Sequence, residues 1–180
     1  MITVSSNAKD IIRQLRTYKR ELKKKEEELL LRLHAEGVDL ANIKLATVQY
    51  DGTMNVQVDN VPHWESNPFT ESPRLALSVV GDEITFIEFG SGVHYTEQHP
   101  EAAKFGMIRG TFGGGRGANP PWLFYDEGGN PGYGQIVAST KDGGVLVETY
   151  GNPPNRVVYD TGKELRTRVQ DIAREVFADD

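Results

Sequence analysis

A chain of 180 residues can bury a sizeable core as one domain and is short for two, so a single domain spanning 1–180 is expected. With 26 acidic against 20 basic side chains the net charge is −6, which disfavours a surface that broadly attracts nucleic acid or an anionic membrane. Cysteine is absent, excluding disulfides, thiolate metal sites and a cysteine nucleophile; no stretch nears the ~18 apolar residues of a membrane span, and "MITVSSNAKD" has no apolar signal core. A soluble protein made in a reducing cytoplasm is the expectation.

Residues 5–36 read as one long amphipathic helix. Ser5 and Ser6 offer an N-cap, and Ala8, Ile11, Ile12, Leu15, Tyr18, Leu22, Leu29 and Leu33 recur at helical spacing until Gly37, the expected stop. Between Leu22 and Leu29, "KKKEEE" interrupts the stripe, so that turn is expected to be exposed with its charges paired along the helix. The segment holds nine Lys and Arg against six acids, a net +3 that leaves −9 on the remainder. It is the one basic element on an acidic body.

Two β-hairpins are expected over 44–90. In the first, Ala46 and Val48 alternate with polar residues, as do Met54, Val56 and Val58. The apolar phase favours an odd Tyr50-Asp51-Gly52 loop that sets Val48 opposite Met54. In the second, "LALSV" pairs with "ITFIEF" through Gly81-Asp82, placing Val79 opposite Ile84, Leu77 opposite Phe86 and Leu75 opposite Glu88. With Ile87 and Phe89 on the other face, that last strand looks covered on both sides.

Regular structure thins over 91–143, where ten of the 19 glycines fall between Gly106 and Gly134 around a short strand candidate, "WLFY". "GVLVETY", 144–150, is a further strand. Pro153 and Pro154 sit where a helix would begin, and Val158, Thr161, Leu165, Val169, Ile172 and Val176 give a 3.6-residue stripe, predicting a C-terminal helix over 153–178 packed on the sheet. Helix, hairpins, glycine-rich loops and helix together predict an α+β domain with an antiparallel sheet.

The chemistry-bearing residues concentrate in "IEFGSGVHYTEQHP". A metal-dependent hydrolase would use Glu88, His94, Glu97 and His99. The histidines are five apart in a loop, however, whereas a helical zinc pair needs them four apart on one face. Gly110 to Gly115 has the G-x-x-x-x-G spacing of a phosphate loop, but Arg116 and Gly117 stand where lysine and a hydroxyl residue are required; Gly90-Ser91-Gly92 lacks the third dinucleotide-binding glycine. There is no G-x-S-x-G elbow, and Asp82-Glu83 lies in a turn. Glu88 shares its strand face with Ile84 and Phe86 and so needs donors: nearby backbone, the Gly90–Gly92 amides, Arg74 or a neighbouring subunit. Lys19, Arg20, Lys23, Lys24 and Lys25 could touch DNA as part of a packaging accessory. The three following glutamates and the lack of interleaved aromatics favour a solvated face or a subunit contact. Neither a catalytic residue nor a metal or cofactor site is assigned.

"FIEFGSGVHY", "HPEAAKFGM", the glycine-rich loop, "WLFYDEGG", "VETYGNPPNRVVYDTG" and the terminal "IAREVF" follow one another in an order that resembles the neck or tail-completion proteins of tailed bacteriophages. The likeness covers about half the chain; "VETYGNPP" departs from it where relatives carry histidine and threonine around the glycine. It implies a non-enzymatic virion protein made in the host cytoplasm. Such a protein forms a homo-oligomeric, sixfold ring between the portal or head-closure proteins and the tail terminator or tail tube, with DNA passing through unbound and no membrane involved. The residues expected at interfaces are Glu88, Gly90, Gly92, His94, Tyr95, His99, Phe112, Arg116, Trp122, Tyr133, Lys23, Lys24 and Lys25. The loop aromatics would order on assembly, and the opposed charges of helix and body would orient subunits head to tail.

Overall fold

The computed structural model describes residues 7–66, 73–109 and 117–178. Its first element, α1, runs Ala8–Leu45 and does not stop at Gly37. That glycine is buried mid-helix, where an added Cβ would lie 2.9 Å from Leu77 Cδ2 and 3.0 Å from Leu165 Cδ1. It therefore marks a close approach of other elements to the helix rather than a terminus. Beyond it Leu40, Ala41 and Leu45 continue the buried stripe. The proposed caps Ser5 and Ser6 lie outside the described residues.

The expected first hairpin does not form. The helix closes through the Ala46 and Thr47 amides on Asn42 and Lys44 carbonyls, and residues 46–56 carry no strand. Strand β1 (Gln57–Ser66) instead pairs antiparallel with β2 (Pro73–Val80), with Val58 opposite Val79 and Trp64 opposite Leu75. The register shifts between Asp59 and His63, where Pro62 has no amide to offer the ladder and Asp59 Oδ1 accepts from the Val61 amide at 2.9 Å.

The second expected hairpin fails as well, because "ITFIEF" is a short helix, α2 (Ile84–Phe89), bounded by Gly81 and by Gly90 at φ 76°. A short run apolar on every side has no distinctive period, and either a buried strand or a buried helical turn satisfies it. Leu75 consequently faces Trp64, and Glu88 leaves the sheet altogether.

A separate three-stranded sheet follows in the order β3-β5-β4, from β3 (Trp122–Asp126), β4 (Gln135–Ser139) and β5 (Val145–Thr149). The "WLFY" and "GVLVET" strands stand as expected; β4, exposed throughout, was hidden among glycines. Val145, Val147 and Thr149 form the buried face of the central strand.

The last helix, α3 (Val157–Phe177), starts four residues after Pro153, and Arg156 precedes it at φ 53°. It runs antiparallel to the second half of α1. Lys44 meets Glu164 at 3.1 Å, Arg168 joins Glu36 and Glu164, Arg32 reaches Glu175 at 3.5 Å, and Lys25 lies over the Phe177 ring. Leu45, Ile87 and Val157 meet in the core, with Val48, Tyr50, Val56 and Val58 packed against them. The architecture is thus mixed α+β, with a long N-terminal helix, two antiparallel sheets and a C-terminal helix. Among the described residues no helix is long and apolar enough to cross a membrane.

Candidate functional site

The stretch 87–100 is built around one buried carboxylate. Glu88 Oε2 accepts from the Val158 amide at 2.8 Å; Oε1 accepts from the Tyr159 amide at 2.9 Å and pairs with His99 Nε2 at 3.1 Å. The first two bonds fill positions that a helix start leaves without intrahelical partners, and a negative charge there also meets the positive end of the α3 dipole. Arg156, the residue ahead of α3, has no side-chain cap of its own. Glu88 supplies the cap from 70 residues away.

His99 is set by the same geometry. Its Nδ1 accepts from the Glu101 amide at 3.0 Å, so Nε2 carries the proton and donates to Glu88. The imidazole is buried between the rings of Phe89 and Tyr159, with centroids 4.5 and 5.0 Å away. Both polar groups are fully used, which leaves neither a base nor a ligand facing water.

The other candidates of that stretch do not join them. His94 is exposed, against Tyr95 and Tyr150 at 5.1 and 5.3 Å, and Glu97 is exposed. Among the described residues no group of three or more His, Cys, Asp or Glu could hold a metal ion. The set proposed for a hydrolase is therefore split between an internal cap and two surface residues.

A second network, invisible to motif reasoning, ties residues 49–51 to 152–155. Asn155 Oδ1 accepts from the Gln49 amide at 2.9 Å while its Nδ2 donates to the Gln49 carbonyl at 3.0 Å, reproducing with one side chain what a neighbouring strand would offer. Asn152 Oδ1 accepts from the Asp51 amide at 2.7 Å, and its Nδ2 donates to Ser91 Oγ at 3.2 Å. The Tyr50 carbonyl accepts from the Tyr133 amide. The only hint in the sequence was two asparagines flanking a Pro-Pro pair.

Between these segments and β3 lies a cleft of about 240 Å³. Tyr50, Phe86, Trp122 and Phe124 supply its rings; Asp51, Ser91, Thr149 and Asn152 supply its polar wall. Asp51 is buried and accepts from the Thr149 hydroxyl; burial pushes its carboxyl up, with the Thr149 hydroxyl and the Tyr133 amide opposing that. Tyr50, first by burial and then under the charges of Glu83, Asp126 and Asp51, is raised to about 12. Asp126 goes the other way: burial alone would raise it, but the amide and hydroxyl of Thr53 and the amides of Asn130 and Gly128 outweigh that and lower it.

Of the expected interface residues, Glu88, Gly90, Gly92 and His99 are buried within the chain. At Gly90 an added Cβ would sit 2.7 Å from Pro154 N, and at Gly92 2.8 Å from the Trp122 ring, so both mark internal close approaches. The Tyr95 hydroxyl accepts from Gln49 Nε2 at 2.9 Å; Trp122 is half-buried in the cleft wall. Tyr133, Lys23 and Lys24 are exposed, and Lys25 is half-buried. Phe112 and Arg116 lie outside the described residues.

The exposed apolar residues that matter most lie on α1. No residue of this helix before His34 is buried, and Ile11, Leu15 and Tyr18 are 55%, 61% and 64% exposed. Residues 8–24 extend beyond Phe177 at the far end of α3 for roughly 25 Å. Lys9, Arg13, Arg16, Arg20 and Lys23, at alternating four- and three-residue spacing, form a basic row along this same projecting part. No family model, curated protein or solved structure matches the chain.

Proposed function

We propose that this protein is a structural component of a tailed-bacteriophage neck: one subunit of a homo-oligomeric ring that joins the head to the tail. The ordered likeness of its second half to neck and tail-completion proteins supports that reading. The observation that carries it is the projecting half of α1, where Ile11, Ile12, Leu15, Tyr18 and Leu22 are 44–64% exposed and, among the described residues, none is buried. Helical stability in proteins comes mostly from packing of an amphipathic face, so an apolar stripe beside a basic row is stabilised when a partner covers it. The remainder of the chain carries −9 against the helix segment's +3, so a second copy is the partner of matching charge. A helix laid on a different surface of the next copy is a heterologous contact, which closes into a ring when the rotation allows. The described geometry favours no enzymatic alternative, since Glu88 and His99 are consumed inside the fold.

The test has two levels. Light scattering on purified protein should report an assembly larger than one chain, which Leu15→Glu combined with Leu22→Glu reduces to single chains that still unfold cooperatively. Deleting the gene from the phage that encodes it should yield heads and tails that do not join; infectious particles lacking the protein would refute the reading.

A further inference from the structure

We propose that the cleft walled by Tyr50, Phe86, Trp122 and Phe124 is a binding site for one organic cation, a guanidinium or alkylammonium group, with Asp51 as its counter-charge. Three observations carry this, none of which depends on ring assembly. The first is size: about 240 Å³ is below the ~300–1,000 Å³ of sites for drug-sized ligands, so the cleft suits one side-chain-sized group and excludes a nucleotide.

The second is an uncompensated charge. Asp51 is only 8% exposed and has the Thr149 hydroxyl and the Tyr133 amide as partners, yet among the described residues no Lys, Arg or His forms an ion pair with it. A buried carboxylate without a counter-ion is costly, and a ligand cation would relieve that cost. Glu83 and Asp126 raise the Tyr50 hydroxyl alongside Asp51, so further carboxylates act on this ring.

The third is the aromatic lining. Aromatic faces attract cations through their quadrupole, most strongly for Trp, and a carboxylate within the same cleft adds directional hydrogen bonds to an N–H fork. Gly92 and Gly117 let the backbone close against the ring that lines the cleft: a Cβ at Gly92 would press on Trp122, and one at Gly117 would lie 2.6 Å from Gly92 Cα. Ser91 and Asn152 are engaged with each other, leaving Asp51 to select the charge.

The chain has two tryptophans, so Trp64→Phe leaves Trp122 as the sole tryptophan, excited selectively over the seven tyrosines at the red edge of indole absorption. At constant ionic strength, titration of the full chain with ethylguanidinium or n-butylammonium should change its emission saturably, and the neutral isostere ethylurea should not. Asp51→Asn, which keeps an acceptor for Thr149, should weaken binding about tenfold or more. If that variant does not fold, Trp122→Leu read by calorimetry carries the test and must also lose binding. A capped Gly-Arg-Gly peptide separates the two sources. Binding of the peptide supports a site for a partner protein's arginine, and binding of the free cations alone supports a site for a small metabolite cation. Equal response to ethylurea, no saturation, or undiminished binding by a folded Asp51→Asn would overturn the proposal.

Discussion

Replacing Glu88 tests the internal cap directly. In Glu88→Gln, the amide oxygen can take the place of Oε1 and keep both the Tyr159 amide and His99 Nε2, but the new NH₂ then faces the Val158 amide, donor against donor. Turning the side chain over strands the other two donors instead. His99 cannot adapt by changing tautomer, because its Nδ1 already accepts from Glu101. One unsatisfied buried donor plus the lost charge at the helix start gives a cost of about 2 kcal/mol. Glu88→Ala strands all three donors and leaves a void, for about 4 kcal/mol. At ~2–4 °C per kcal/mol for a chain of this size, melting should fall by roughly 4–8 °C and 8–16 °C respectively. Thermal unfolding followed by circular dichroism measures both, and amide exchange at Val158 and Tyr159 should accelerate first. Two variants within ~0.5 kcal/mol of the unaltered chain, or Gln costing more than Ala, would refute the capping argument.

Asn155→Ala removes the paired bonds to Gln49 and should cost about 2 kcal/mol in urea unfolding, and Asn155→Asp, which keeps the acceptor but sets a carboxylate oxygen against the Gln49 and Pro153 carbonyls, should cost at least as much. Gly37→Val should destabilise by about 1–3 kcal/mol, because its branched side chain must displace both Leu77 and Leu165; Gly37→Ala should be milder, since helix propensity offsets part of the crowding. Asp126 has its carboxyl lowered in the fold, so its stabilising contribution is present above the unfolded value near ~3.9 and is lost as pH falls through the folded value. The stability gap between the unaltered chain and Asp126→Asn, measured by urea unfolding across pH, should therefore be full at pH 6 and shrink below about pH 4.

What could be read from the chain alone was what neighbouring residues decide. The apolar stripes of α1 and α3 repeat every 3.6 residues over several turns, so both helices and the mixed α+β class were legible, as were the alternating β3 and β5. The likeness to neck proteins also rested on residue order and stays a proposal.

Tertiary contact decided the rest. Residues 46–49 have a strand's alternation, but the backbone of Gln49 is bonded by an asparagine 106 residues away, so no strand can pair there. "ITFIEF" could have been strand or helix, and as α2 it brings the Glu88 carboxylate to the bare amides of α3. Gly37 resembled a stop because glycine often is one; here two leucines from other elements occupy the space its side chain would need. Each of these outcomes depends on a partner far along the chain, and local periodicity carries no information about where such a partner will lie.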